Sequence, residues 1–385
     1  MKVINHNIEA ILTDDLERKM VFLSGPRQVG KTTLAKKIMR VRHGRYLLYD
    51  DLDDRESILK RDFLRGKYVC LDEFHKYARW KSLIKGIFDK YRESLHILIT
   101  GGARLDCYQK SGDSLTGRYY LHALHPLSLK ELHSVELTLP KNIETPHPKL
   151  TGLNELMKFG GFPEPFLSGS ESEHRRWSRQ RRGLLLNEEL RELTQIQLLS
   201  VAENLMILLN DKIGALLSAT ALSEDLRISV PTVLNWLAIF ERLYIVFRIL
   251  PFSTRISRSL RKMPKLYLWD WSQIISESVR FENCVASHLF KAVSYWNALG
   301  LTRDAQLYFL RDRLGRETDF LVTKNRKPWF AVEAKLAEDK IDHSLRYFCD
   351  QLDIPGIQLI LRPGMYKKSG PITVISADTW LGHLV

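Results

Sequence analysis

Short apolar runs alternate with amphipathic stretches through the N-terminal part of the chain. MVFLS (20–24), RYLLYD (45–50), KYVCLDE (67–73) and HILITG (96–101) are strand-like, while WKSLIKGIFDKYRES (80–94) has helical spacing. Strand–helix alternation of this kind predicts a parallel sheet with helices on both faces, and phosphate-binding loops belong at the carboxyl ends of such strands. The pattern then changes. LTLPKNIETPHPKLTG (137–152) has three prolines and no apolar period, which marks a boundary or an exposed loop. Gly160, Gly161, Pro163 and Pro165 interrupt the chain again before a long helical stretch from about Ser172 to Ile196.

Residues 217–252 have the order of a helix-turn-helix. A short helix ends near Leu226, RIS turns, and Ser229 is placed to cap a second helix beginning at Val230 and Pro231. Val230, Val233, Leu234 and Leu237 would form its buried face, with Thr232 and Asn235 exposed. The strand YIVFRIL and the basic stretch 253–265 would complete a winged helix. Toward the C-terminus, 310–336 contains two strands joined by a turn at TKNRKP, and GIQLILRP (356–363) offers the next core strand. The expected fold class is α/β. It comprises a P-loop core over 1–140, a helical, winged-helix-like domain over 141–265 and a C-terminal α/β domain over 266–385.

At 385 residues the chain is too long for one ordinary core, and 44% apolar with 27% charged residues is the composition of a globular protein. No apolar run approaches the ~20 residues of a membrane span. The N-terminal stretch MKVINHNIEAILTDD lacks the order of a signal peptide. Cys70, Cys107, Cys284 and Cys349 are far apart and show no zinc spacing. These features predict reduced thiols, a cytoplasmic location and no membrane partner. The net charge of +13, from 58 basic and 45 acidic residues, favours a polyanionic partner. HRRWSRQRR (174–182) and STRISRSLRKMPK (253–265) concentrate that charge, although each run also suits a solvated face.

The segment FLSGPRQVGKTTLAKKIM (22–39) supplies the first chemistry. Glycines five residues apart let the backbone curl round an anion, and the N–H groups of the following helix point at it. Gly25, Pro26, Arg27, Gln28, Val29, Gly30, Lys31, Thr32 and Thr33 are therefore the expected phosphate-binding residues for ATP. Lys31 would reach the β- and γ-phosphates, and Thr32 would ligate Mg²⁺. In YVCLDEF an apolar strand delivers Asp72, suited to Mg²⁺, and Glu73, suited to polarise the attacking water. Thr100 is expected as a sensor beside the γ-phosphate, its alternative being a buried strand threonine. Arg118 is a candidate arginine finger, its alternative a surface arginine.

GPRQVGKTTL, LDEF, ILITGGARL, SLTGRYYLHALHPLSLKEL and FGGFPEPF, in that order, resemble the prokaryotic AAA-type ATPases with a C-terminal domain of unknown function. The resemblance covers nearly the whole chain and implies a core of the additional-strand type, in which the acid-bearing strand is not adjacent to the P-loop strand. Gly101 and Gly102 stand where such proteins typically show Gly-Ser.

In the C-terminal part, strand alternation puts Glu317 and Asp319 on one face, and Glu333 and Lys335 two positions apart. Asp319 and Glu333 would converge on a cation beside Lys335, with Glu282 reaching the same place from a helix. This set resembles the PD-(D/E)xK, restriction-endonuclease-like superfamily. That match implies Glu282, Asp319 and Glu333 as ligands of a second Mg²⁺ or Mn²⁺ and Lys335 as the residue that activates the nucleophile. The leading expectation is an ATPase that couples hydrolysis to a nucleic-acid-bound state, DNA being favoured over RNA, with a nuclease-like domain. The alternative is a regulatory or signalling ATPase whose C-terminal domains hold protein partners. Either leaves a homo-oligomer open.

Overall fold

The structure is a computed structural model and describes residues 4–102, 115–133, 144, 148–186, 199–253 and 263–384. It divides into two compact units, one built from Asn5–His125 with Arg242–Tyr244, the other mainly from Pro126–Glu241 and Ile245–Val385.

The first unit runs α1 (Glu9–Leu16), β1 (Met20–Ser24), α2 (Lys31–Val41), β2 (Arg45–Leu48), α3 (Leu52–Lys60), β3 (Tyr68–Asp72), α4 (Trp80–Tyr91), β4 (His96–Thr100) and β5 (Tyr119–Ala123). The strands form one parallel sheet in the order β2-β3-β4-β1-β5. All residues of β1 and β3 are buried, as strands covered on both faces require. β4 lies between β1 and β3, which is the arrangement the additional-strand resemblance implies. Period-two alternation sends Met20 and Phe22 into a cluster with Leu71, Ile97, Ile99 and the α4 residues Trp80, Ile84 and Ile87. Leu34, Ala35, Ile38 and Met39 form the buried stripe of α2. β5 escaped the sequence pattern, because Tyr-Tyr-Leu-His-Ala is a mostly half-buried edge strand without clean alternation. It is anchored by Tyr119, stacked on Phe22 at 4.3 Å between ring centres.

The second unit begins with α5 (Leu153–Phe159), α6 (Pro163–Ser168), α7 (Glu171–Leu184), α8 (Leu199–Asn210), α9 (Ala219–Leu226) and α10 (Val230–Arg242). Residues 134–143 and 145–147 of the proline-rich stretch, 187–198 of the long helical stretch and 254–262 of the basic stretch lie outside the described residues. The helix-turn-helix pair is present. Arg227 turns the chain with φ 54°, and the Ser229 hydroxyl accepts from Thr232 N at 3.2 Å. Its buried face differs from the expected one. Val233, Trp236, Leu237 and Phe240 are buried and Leu234 is exposed, because the large Trp236 ring turns the apolar stripe by one position.

The strand after α10 is not an independent wing either. β6 (Val246–Pro251) and β7 (Lys265–Leu268) pair antiparallel and close one end of an eight-stranded sheet. After α11 (Glu277–Ala298) this sheet continues through β8 (Gln306–Arg311), β9 (Glu317–Lys324), β10 (Lys327–Lys335), α12 (His343–Leu352), β11 (Gly356–Ile360), β12 (Tyr366–Ser369) and β13 (Ile372–Ser376), in the order β12-β13-β11-β10-β9-β8-β6-β7. Asn325 and Arg326, both at positive φ, make the two-residue turn between β9 and β10. A cluster of Leu310, Leu321 and Ala331 packs with Leu345 and Phe348 of α12.

Two buried polar side chains of this unit, His288 and Lys291, are matched in detail. His288 Nε2 accepts from Leu129 N at 3.0 Å while Nδ1 donates to Cys284 O at 2.8 Å, so the ring is neutral, and burial lowers its pKa to about 4. Lys291 donates to Pro126 O at 2.9 Å and to the Glu131 carboxylate, although burial lowers its pKa. Removing one partner of such a pair strands the other charge, so Lys291→Met is expected to cost about 3 kcal/mol in chemical denaturation. The double change Lys291→Met/Glu131→Gln should recover part of that loss.

Candidate functional site

β1 ends at Ser24 in the centre of the first sheet, and the next residue must leave the strand sharply. Gly25 does so at φ 135°, where a Cβ would meet Leu124 O at 2.5 Å. Gln28 (φ 65°) and Gly30 (φ 106°) complete the curl, and Gly30 caps the N-terminus of α2. Pro26 and Val29 are buried, whereas Arg27, Thr32 and Thr33 are exposed at the rim. The Lys31 ammonium lies over the loop and donates to Gly25 O at 2.8 Å and Pro26 O at 2.7 Å. Oriented amides at a helix N-terminus with an ammonium beside them make an anion cradle.

Asp72 ends β3 and is buried. Four donors hold its carboxylate: Thr32 Oγ1 at 2.9 Å and the Tyr46 hydroxyl on Oδ2, Thr100 Oγ1 at 2.5 Å and Glu73 N at 3.1 Å on Oδ1. The pairing of Asp72 with Thr32 puts two hard oxygen donors next to the anion cradle, a donor set that fits Mg²⁺. Thr100 is fully buried, and its hydroxyl orients Asp72. Tyr46 of β2 was absent from the sequence reading, since only the register Tyr46↔Cys70 of the β2–β3 pair reveals that it reaches Asp72.

Glu73 follows at φ 56°, a left-handed conformation that costs a non-glycine residue and carries its side chain out of the strand alternation. Its carboxylate lies 3.5 Å from Lys76 Nζ and 3.7 Å from His75 Nε2. Burial raises the Glu73 pKa, and the positive charge of Lys76 opposes the rise. A partly desolvated carboxylate beside the phosphate cradle is suited to take a proton from water.

Arg118 does not reach the phosphate loop of its own chain. Its carbonyl accepts from Met20 N at 3.2 Å, so it is level with the first residue of β1, while the phosphate loop begins beyond the last. Five strand residues span about 16 Å, too far for a guanidinium to reach the loop of the same chain. Arg118 instead pairs with Asp89 through Nε at 2.7 Å and a second nitrogen at 3.1 Å.

The C-terminal candidates do come together, around a residue the sequence reading had assigned to a wing. Asp319 N donates to Glu333 Oε2 at 3.2 Å, and Ala334 N donates to Asp319 Oδ2 at 3.1 Å. Glu282 is drawn in by Tyr267, whose hydroxyl donates to it at 2.8 Å. Lys265 of β7 is only 2% exposed, and its Nζ lies 2.8 Å from Glu317, 3.2 Å from Glu282 and 3.3 Å from Asp319. Lys335 pairs with Glu333 at 2.9 Å and Asp342 at 3.2 Å. Burial and the neighbouring Asp319 charge raise the pKa of both Glu282 and Glu333. Of the expected metal set, Glu282 and Asp319 thus face the Lys265 ammonium, while Glu333 faces that of Lys335. Among the described residues, no group of three or more His, Cys, Asp or Glu side chains is arranged to hold a metal ion.

The hydrogen bonds on Asp72 generate a test. Tyr46→Phe and Thr100→Val each remove one donor to a charged acceptor, a loss of about tenfold per bond. Each is expected to raise the Mg²⁺ concentration for half-maximal ATP turnover by about that factor. Metal-free nucleotide binding, measured by calorimetry in EDTA, should stay unchanged.

Three family matches tile the chain: an AAA domain over residues 17–133, a domain of unknown function (DUF8612) over 150–275 and a domain of unknown function (DUF4143) over 280–378. An uncharacterized protein of Methanocaldococcus jannaschii is 25% identical over 374 residues, covering 90% of this chain and 81% of that protein. An uncharacterized protein of Mycobacterium tuberculosis is 22% identical over 375 residues, covering 93% and 80%. Among solved structures, Bacteroides Pif1 bound to ssDNA matches at 13% identity and TM-score 0.22, covering 32% of this chain and 42% of that one. C. elegans PCH-2 matches at 14% and 0.22, covering 61% and 66%. Likenesses of that size place no constraint on this chain. The AAA match supports ATP binding and hydrolysis. Among the described residues, no helix is long and apolar enough to cross a membrane. The chain thus carries a match to an AAA domain over residues 17–133, followed by matches to DUF8612 and DUF4143.

Proposed function

We propose that this protein is a Mg²⁺-dependent ATPase that works while bound to nucleic acid and does not cut it. The carrying observation for hydrolysis is the Thr32–Asp72 hydrogen bond beneath the Lys31 cradle, with Glu73 next in the chain. The loop amides bind the triphosphate, and Lys31 exchanges the carbonyls of Gly25 and Pro26 for phosphate oxygens. Thr32 and Asp72 would hold Mg²⁺, which supplies charge neutralisation on the phosphate oxygens. Thr100 and Tyr46 keep the Asp72 carboxylate oriented, and Glu73 accepts a proton from the attacking water.

Support for nucleic acid comes from charge and its placement. On α7, Arg175, Arg176, Arg179 and Arg182 are exposed at spacings that share one helix face, while Trp177 and Arg181 are buried behind them. A stripe of guanidinium groups on a chain of net charge +13 suits a phosphate backbone, which positions without reading sequence. One observation favours the protein-partner alternative: Leu234, 47% exposed on α10, offers an apolar contact.

Lys31→Ala should abolish turnover, and Glu73→Gln should retain ATP binding while stopping hydrolysis. Unchanged hydrolysis in Glu73→Gln removes the residue from the mechanism. The raised pKa of Glu73 puts its protonation, and hence the acid limb of kcat, above the ordinary glutamate range. In Lys76→Ala that limb should move to still higher pH, because a charge that lowers the pKa has gone.

DNA and RNA binding is tested by fluorescence anisotropy across 50–200 mM salt, a range over which phosphate-dominated affinity falls steeply. Arg176→Glu/Arg179→Glu should reduce the slope of log K on log salt by about 2. A slope unaffected by that change argues for the protein-partner reading.

A further inference from the structure

We propose that the Lys265 ammonium is the resident cation of the C-terminal carboxylate cluster, standing where a divalent metal ion would sit among Glu282, Glu317 and Asp319. An ammonium has three N–H donors, and three different carboxylates lie within 3.3 Å of this one. The three acids come from two elements: Glu282 from α11, Glu317 and Asp319 from β9. Lys265 itself sits on β7 in register with Ile249, so the sheet fixes its backbone position.

The surroundings complete the enclosure. Tyr267, two residues along β7, donates to Glu282 from the same face of the strand. Gly214 covers Glu282 so closely that a Cβ there would lie 3.1 Å from its carboxylate. Arg311 takes the outer oxygen of Glu317 at 2.6 Å, and Lys335 holds Glu333 to one side. A divalent ion bound at the ~2.1 Å oxygen distances Mg²⁺ demands would collide with the ammonium and be repelled by it. Lys265 also supplies a charge that is tethered, monovalent and always present, unlike a metal. It offsets part of the cluster's negative charge without polarising a water molecule.

The test is Mn²⁺ binding to the full-length, nucleotide-free protein, followed by electron paramagnetic resonance up to about 1 mM, the range of weak carboxylate sites. Any ion near Thr32 and Asp72 is common to all variants, so sites are scored by their dependence on Asp319. Wild type is expected to have no Asp319-dependent Mn²⁺ site. Lys265→Met, checked for folding by circular dichroism, is expected to gain one site, which Lys265→Met/Asp319→Asn loses. Lys265→Arg should fold and gain none. A Mn²⁺ site in wild type that disappears in Asp319→Asn overturns the proposal, as does a folded Lys265→Met without a site. Should Lys265→Met fail to fold, the wild-type and Asp319→Asn titrations decide alone: an Asp319-dependent site overturns the proposal, and its absence supports it.

Discussion

Both candidate sites depend on one constraint: a carboxylate withdrawn from water must be met by donors or by positive charge. Asp72 meets it with hydroxyls and an amide, which leaves its charge uncancelled and able to attract a cation. Glu282, Glu317 and Asp319 meet it with Lys265, which brings a positive charge among them. The acids of the two units are therefore satisfied by different means. Hydrogen-bond donors without charge leave a carboxylate able to attract a cation, whereas a buried ammonium already supplies one.

The first unit was legible in the sequence to the extent that its chemistry is local. The phosphate loop is a contiguous run whose glycines are needed at positive φ, and the β3 acids close an apolar strand, so both can be read without knowing what lies beside them. Tyr46 and Arg118 show the limit. Tyr46 reaches Asp72 only through sheet register, and Arg118 looks like a finger in sequence yet is level with the start of β1. Residue type does not reveal which end of a strand a side chain occupies.

The second unit was harder to read, because its site is assembled from segments far apart in the chain. Glu282, Asp319, Glu333 and Lys335 were picked out by spacing and do lie together. Lys265 was missed because it ends a basic run, and a charge run is ordinarily a solvated surface. Its burial follows from β7 pairing with β6 inside the large sheet, a long-range event that composition does not encode. The strands expected as a wing show the same limit. The helices follow local capping rules, whereas the strands after them are recruited by a sheet built mostly from later sequence.

Asp342 ties the hairpin to the helix beyond it. Its carboxylate accepts from Ser344 N at 2.8 Å and Leu345 N at 3.1 Å, capping α12, and also pairs with Lys335 at the end of β10. A single acid thus serves as mechanical anchor for two elements, and Lys335, the lysine of the nuclease-like resemblance, is one of its tethers. Truncating that lysine loosens the amino end of a helix as well as deleting a charge, so a defect in such a variant reports on architecture before it reports on chemistry.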